Sequence, residues 1–144
     1  MGGQLFYEDV TEEMEIPVLE NVATSRALAM YCAGYEDFTE IHYDKDAAQQ
    51  AGWPNPVVPG LLTSAYLAQM LTNWITPEGT IKKLGTNYRR PQFAGEKIIC
   101  KGKVTAKRVA GRDHIVECEI FAENGAGEVT TPGTAVIVLP SRAE

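Results

Sequence analysis

The chain of 144 residues is 44% hydrophobic and 22% charged, with a net charge of −6 at pH 7, which excludes a disordered or fibrous protein. The negative charge argues against nucleic-acid binding and against attachment to a membrane through basic residues, because both need clusters of Lys and Arg. No apolar run approaches the roughly 18 residues of a transmembrane helix, and residues 1–16 lack the apolar stretch of a signal peptide. We therefore expect a cytoplasmic protein that folds as one domain over residues 1–144.

The chain has three cysteines and two histidines, few groups for metal or redox chemistry. Cys32, Cys100 and Cys118 are widely spaced and form no CxxC motif, so the sequence predicts neither a disulfide framework nor a structural zinc site. Cys100 and Cys118 lie in runs that alternate between apolar and polar residues, and we expect them to be small core residues. We expect no metal ion and no cofactor.

Two short helices are predicted in the first third of the chain. Residues 24–25, Thr and Ser, can cap an alanine-rich run over residues 26–33 that ends at Gly34. A second run with three alanines begins near Asp44 and ends at Gly52.

A longer helix follows a connector that is rich in proline. Three prolines within residues 53–59 exclude a helix and predict an extended segment. Residues 61–75 contain no Pro or Gly and are apolar around most of a helical circumference. Such a helix is expected to be buried nearly all round.

The second half of the chain alternates between apolar and polar residues, the two-residue period of strands with one solvated face. The polar positions are basic over residues 97–108 and acidic over residues 113–123, so the two runs would form favourable pairs if they are neighbours. A long buried helix followed by an antiparallel meander predicts an α+β fold with the sheet wrapped around that helix. The four predicted strands cover residues 81–90, 97–108, 113–123 and 128–139.

Two short segments carry residue types that are suited to catalysis. Asp37 and His42 are five residues apart, within reach of each other across a bend after Gly34, and a carboxylate facing an imidazole can hold a water and move its proton. Residues 59–60, Pro and Gly, precede the long helix, where free N–H groups of the first turn can face an oxygen with partial negative charge. Either signal alone is more often structural, whereas their order along the chain is more specific.

Read together, residues 34–62 resemble the MaoC-like dehydratase family, which includes the R-specific 2-enoyl-CoA hydratases, also called hydratase 2. The family pattern is Asp-x-Asn-Pro-Ile/Leu-His followed by Asp, Ala, Gly and a His-Gly pair. This chain has Asp-Phe-Thr-Glu-Ile-His at 37–42, then Asp44, an alanine, Gly52 and Pro-Gly at 59–60. The segments at 5–11 and 88–96 also look like family segments.

The resemblance implies a hot dog fold, a curved antiparallel sheet around one long helix, and a hydro-lyase that acts on acyl-CoA thioesters. Asp37 and His42 would activate the water that adds to C3 of a trans-2-enoyl thioester, and a proton would be delivered to C2. The backbone N–H of Gly60 would contact the thioester oxygen. Hot dog domains pair side by side, so the resemblance also implies a homodimer or a heteromer with another hot dog chain.

The chain departs from the family pattern at three positions. Thr39 and Glu40 replace Asn and Pro, and Pro59 replaces the His before the glycine. Thr39 keeps a hydroxyl that can orient the pair, although it lacks the donor and acceptor set of an amide. Similar altered motifs occur in small catalytic subunits of heteromeric hydratases for steroid side-chain enoyl-CoA thioesters, so a heteromer is an alternative.

Several further residues are candidates for contact with the substrate, although each also suits an ordinary structural role. Thr63 and Tyr66 can line an acyl tunnel, and Arg89 and Arg90 can meet CoA phosphates. The full set of predicted substrate-binding residues is Pro59, Leu61, Thr63, Tyr66, Arg89 and Arg90. Two other functions remain open: a hot dog acyl-CoA thioesterase, and a non-catalytic subunit that completes the pocket of a partner chain.

Overall fold

The structure, a computed structural model, describes residues 3–143. Five strands form one antiparallel sheet in the order β1-β3-β4-β5-β2, with β1 and β2 at its two edges. The strands are β1 Leu19–Val22, β2 Thr80–Thr86, β3 Lys97–Ala110, β4 Asp113–Glu123 and β5 Val129–Leu139.

The three helices lie between β1 and β2 in the chain. They are α1 Ser25–Tyr35, α2 Lys45–Gln50 and α3 Gly60–Ile75, and Glu40–His42 forms a 3-10 turn between the first two. The hydroxyl of Thr24 and the carboxylate of Asp44 accept hydrogen bonds of 3.0 Å from the third residue of α1 and of α2. Of the two residues predicted to cap the first helix, Thr24 is the one that does so, and the predicted start of the second helix near Asp44 is confirmed. The predicted end of α1 is wrong, because the helix passes Gly34 and stops at Glu36, a left-handed residue with φ 57°.

The core lies between α3 and the inner face of the sheet. Leu67, Met70 and Leu71 of α3 are almost fully buried, as are Cys100 and Cys118 of the strands. Burial raises the pKa of both thiols to about 12, so these cysteines are core residues as predicted.

One face of α3 is more open than the sequence indicates. The sheet covers only one side of the helix, and Leu61 on the other side is 44% exposed. The expectation that this helix is buried all round is therefore wrong for the single chain. The predicted charge pairs between β3 and β4 do form, with Lys101 beside Glu123 and Arg108 beside Glu117.

The sequence pattern missed β1 and overextended the first predicted strand. Residues 13–16 already bond to β3, through Glu13 N–H to the Val104 carbonyl at 2.9 Å and Ile16 N–H to the Gly102 carbonyl at 2.9 Å. Pro17 follows Ile16 at this edge of the sheet, where its missing N–H costs no bond to β3 because the N–H of Ile16 already faces that strand. At the other edge, β2 ends at Thr86 rather than at residue 90.

Candidate active site

Asp37 is placed by the turn that ends α1. The left-handed Glu36 reverses the chain, and the Asp37 N–H donates to the Cys32 carbonyl at 3.0 Å. One carboxylate oxygen, Oδ1, accepts two hydrogen bonds from Thr39, at 2.6 Å from the hydroxyl and at 3.1 Å from the N–H. The other oxygen, Oδ2, faces the ring of His42, 3.8 Å from its Nε2.

Thr39 lowers the pKa of the Asp37 carboxyl. The hydroxyl of Thr39 is the largest cause that lowers the pKa of this carboxyl, and the Thr39 N–H is the second. Burial opposes the shift, and the nearby His42 ring adds to it. Because both bonds of Thr39 reach Oδ1, they favour the charged form and leave Oδ2 free for another partner.

The protonation pattern of His42 is fixed by the backbone. Its Nδ1 lies 2.7 Å from the Val57 carbonyl oxygen, and the Val57 N–H donates to the Ile41 carbonyl at 2.8 Å. A carbonyl oxygen can only accept, so Nδ1 must carry the hydrogen. In the neutral ring the lone pair is therefore on Nε2, the nitrogen that faces Asp37.

Asp37 and His42 together form a place for one water molecule. At 3.8 Å, Oδ2 and Nε2 are too far apart for a direct hydrogen bond. A single water can lie within hydrogen-bonding distance of both atoms and donate one hydrogen to each. A water in this position lies next to a nitrogen that is able to take its proton.

A cleft of about 280 Å³ connects His42 to the start of α3. Pro59 is the N-cap of this helix, and its carbonyl accepts the N–H groups of Leu62 and Thr63. Among residues 3–143, the Gly60 N–H donates to no backbone carbonyl, as expected in a first helical turn. The lining residues are His42, Val57, Val58, Gly60, Thr63, Tyr88, Arg89, Arg90, Pro91, Gln92 and Thr131.

The structure brings most of the predicted site residues together. Gly60, Thr63, Arg89 and Arg90 line the same cleft as His42. The contacts above join Asp37 and Thr39 to that ring, and Pro59 stands in the chain between the lining residues Val58 and Gly60.

Three predicted substrate-binding residues, Pro59, Leu61 and Tyr66, are not among the residues that line this cleft. Leu61 points to the open side of α3, and Tyr66 packs against the core, where burial raises the pKa of its hydroxyl. The assignment of these residues to substrate binding stays a prediction.

Tyr88 and Gln92 are cleft residues that the sequence analysis did not select. Gln92 is 4% exposed, donates to the Lys97 carbonyl at 2.9 Å and accepts from the Thr130 hydroxyl at 3.0 Å. Both residues lie in the segment 88–96, which resembles a family segment. For Tyr88, the signal in the sequence was an aromatic residue directly before two arginines. Its place in the cleft depends on contacts with residues that are distant in sequence, so this signal alone did not identify it.

The chain matches the family described as MaoC like domain over residues 7–122. It belongs to this MaoC-like family. A relative, an (R)-specific enoyl-CoA hydratase of Aeromonas caviae, is 30% identical over 115 residues, which are 78% of this chain and 84% of that protein. The beta subunit of a 3-oxo-4,17-pregnadiene-20-carboxyl-CoA hydratase of Mycobacterium tuberculosis is 26% identical over 95 residues, which are 66% of this chain and 70% of that subunit.

Solved structures share the fold of this MaoC-like chain. The (R)-hydratase from Aeromonas caviae has a TM-score of 0.84 at 21% identity and covers 92% of this chain and 99% of its own. An R-hydratase from Pseudomonas aeruginosa has a TM-score of 0.89 at 18% identity, with 96% and 88% covered. A chain of the ChsH1-ChsH2 complex from Mycobacterium tuberculosis has a TM-score of 0.80 at 21% identity, with 90% and 98% covered. The predicted family and the predicted hot dog fold are confirmed.

Neither a cluster of metal ligands nor a membrane-spanning helix is found in the part of the MaoC-like chain that the structure describes. No group of three or more His, Cys, Asp or Glu side chains within residues 3–143 is arranged to hold a metal ion. In the same range, no helix is both long enough and apolar enough to cross a bilayer.

Proposed function

We propose that the chain is a hydro-lyase that reversibly adds water across the double bond of a trans-2-enoyl-CoA thioester and forms a 3-hydroxyacyl-CoA. The observation that carries this proposal is the Asp37–His42 pair, which leaves Oδ2 and Nε2 3.8 Å apart at a cleft that is also lined by Gly60, the first residue of α3. The named activity of the Aeromonas caviae relative, at 30% identity, supports the same reaction class.

In the catalytic pair, Asp37 holds the water and His42 takes its proton. Asp37, whose pKa is lowered by the bonds from Thr39, accepts a hydrogen bond from the water. The Nε2 of His42 takes the other hydrogen as the water oxygen forms its bond to C3. The electrons of the double bond move toward the thioester oxygen, and the imidazolium then returns its proton to C2, so one water is consumed in total.

The start of α3 stabilises the negative charge that develops on the thioester oxygen. The N–H of Gly60 is a free donor at a helix N-terminus, where the aligned peptide dipoles favour a negative charge. Gly60 and His42 line one cleft. We propose that the thioester binds between them with its oxygen toward the N–H of Gly60 and its C3 toward the water.

Arg89 is the candidate for contact with a CoA phosphate. It lines the cleft and, within residues 3–143, has no carboxylate within ion-pair distance. Arg90 pairs with Glu128 at 3.3 Å, so its charge is already partly compensated. We therefore assign the phosphate contact to Arg89 in preference to Arg90.

A hydration assay of the purified chain tests the proposal. Loss of the conjugated-thioester absorbance is followed on short, long and steroidal trans-2-enoyl-CoA substrates, and the product mass is checked for one added water. We expect Asp37→Asn and His42→Ala each to lower the rate by about a hundredfold or more, the effect of losing a general acid or base. Asp113→Asn, an exposed carboxylate paired with Lys82, serves as the matched control. Release of free CoA without hydration would instead identify a thioesterase.

A second candidate is the catalytic subunit of a heteromeric hydratase. Large apolar side chains are exposed next to the site, since Phe38 follows Asp37 and is 66% exposed, and Leu61 follows Gly60. Exposed apolar groups beside a site are typical of an interface, and the 26%-identical relative is named as a beta subunit. A partner hot dog chain, or a second copy of this chain, would cover them.

The mass of the isolated chain in solution separates these cases. Analytical ultracentrifugation combined with the hydration assay gives both the assembly and its activity. An active homodimer supports a self-sufficient enzyme, whereas an inactive folded chain that gains activity only with a second hot dog chain supports the heteromer.

A further inference from the structure

Tyr88 is an exposed aromatic residue that the fold holds in place through polar contacts. It is 51% exposed and lines the cleft, so burial contributes little to fixing its ring. Its hydroxyl lies 2.7 Å from the hydroxyl of Ser64 on α3, which in turn lies 2.8 Å from the hydroxyl of Thr86 at the end of β2. These three hydroxyls form a continuous chain from the strand to the helix and on to the ring.

The backbone on both sides of Tyr88 is also fixed. The N–H of Asn87 donates to the Pro132 carbonyl at 2.9 Å, and the N–H groups of Arg89 and Arg90 donate to the Thr130 carbonyl at 3.0 and 3.2 Å. With the backbone held on β5, the remaining freedom of Tyr88 is rotation of its side chain. The bond to Ser64 removes that freedom.

The ring of Tyr88 lies flat against Gly60. A Cβ at position 60 would be 2.9 to 3.0 Å from three atoms of the ring, closer than side chains tolerate. A side chain at position 60 would therefore push the ring away, and the ring covers the first residue of α3, which lines the cleft. Ser64 is one helical turn after Gly60, so the ring and its hydroxyl span the first turn of α3.

We propose that Tyr88, tethered by Ser64, is a positioning residue that holds the thioester carbonyl on the N–H of Gly60. This inference rests on the proposed function. The ring forms the wall of the cleft beside that N–H, and the tether prevents it from swinging into the space that the carbonyl must occupy. Removing either hydroxyl of the Tyr88–Ser64 pair frees the ring, so the carbonyl would sit less closely on its donor.

The test compares Tyr88→Phe, Ser64→Ala and the double variant with the unaltered chain. The probe is butanoyl-CoA labelled with ¹³C at the carbonyl, a saturated thioester that cannot be hydrated, and its carbonyl stretch is measured by difference infrared spectroscopy. In the unaltered chain we expect the frequency to fall on binding, because a donor polarises the carbonyl. In each single variant the fall should be smaller. The turnover number on a trans-2-enoyl-CoA should be roughly three- to tenfold lower with KM changed less, the range of one hydrogen bond.

The double variant shows whether the two hydroxyls act as one unit. If they do, it should be no worse than either single variant, whereas independent effects would multiply. Tyr7→Phe is the matched control, since among the described residues the Tyr7 hydroxyl has no hydrogen-bond partner and its ring packs near His114, away from the cleft. It should leave frequency and turnover unchanged.

Failure of this inference differs from failure of the proposed function. A frequency shift and a turnover that are the same in the unaltered chain and in Tyr88→Phe would overturn the role of Tyr88 and leave the hydratase proposal intact. A shift that depends on Tyr88 in a chain that hydrates no enoyl thioester would overturn the proposed reaction and support the positioning role. The absence of any shift in the unaltered chain would overturn both.

Discussion

Replacing Gln92 by Met tests how the segment that carries Tyr88 is anchored to the sheet. Met has nearly the same length and volume as Gln but offers neither an amide donor nor an amide acceptor. The substitution therefore removes the bonds to the Lys97 carbonyl and from the Thr130 hydroxyl and leaves the space filled. The backbone bond from the Val58 N–H to the Gln92 carbonyl, at 2.8 Å, is retained.

The expected cost follows from these two contacts. Each hydrogen bond contributes about 0.5–1.5 kcal/mol to the free energy of unfolding, so losing both lowers it by about 1–3 kcal/mol. Thr130 can still donate to the Ala122 carbonyl at 3.3 Å, which places most of the loss at Lys97. For a domain near this size, 1 kcal/mol corresponds to roughly 4 °C in Tm, so Tm should fall by about 4–12 °C.

Urea unfolding followed by circular dichroism, with a thermal scan beside it, measures this change. Gln50→Met is the matched control, because Gln50 lies exposed at the end of α2, and it should shift the free energy of unfolding by no more than about 0.5 kcal/mol. If Gln92→Met and Gln50→Met unfold at the same urea concentration, the buried amide does not anchor the segment and the reasoning is refuted.

Three further outcomes are expected. Thr39→Val should raise the pKa of Asp37, because it removes the hydroxyl bond that favours the carboxylate. The titration midpoint of the Asp37 carboxyl carbon, measured by ¹³C NMR, should move to higher pH, and Thr39→Ser should restore it. An unmoved midpoint in Thr39→Val would contradict the role of the hydroxyl. Gly34→Ala should stabilise the chain by about 0.5–1 kcal/mol in urea unfolding, since a Cβ there meets open space within a helix; destabilisation would argue against it. Cys100 and Cys118 should not react with Ellman's reagent at pH 8 until the chain is unfolded, because their pKa lies at about 12; rapid reaction of the native thiols would show that they are accessible.

The elements with a strong periodic pattern were predictable from the sequence. α3 and the strands β3 and β4 are long enough for their apolar periods to stand out, and the structure places them within a few residues of the expected bounds. β1 has only four residues and follows Pro17, so its pattern is too short to distinguish from a loop. The apolar pattern of α3 shows how apolar the helix is. It does not show that the sheet covers only one side of it.

The site divides in a similar way. Asp37 and His42 are close in sequence, so a short motif could identify both. Other contacts of the site join residues that are distant in sequence. The ring of His42 is bonded to a carbonyl 15 residues away, and the hydroxyl of Tyr88 to a hydroxyl 24 residues away. Such contacts are created by the fold, and no local sequence pattern predicts them.

The hydrogen bond between His42 and residue 57 has a consequence for which sequences can share this site. The partner of Nδ1 is a main-chain oxygen, which every amino acid supplies, so the side chain at position 57 is free to diverge without changing which nitrogen of the ring is basic. Only proline is barred there, because the N–H of residue 57 is itself bonded to Ile41. The choice of the ring nitrogen that carries the hydrogen thus depends on the path of the backbone. It can be the same in homologues whose side chains around His42 differ.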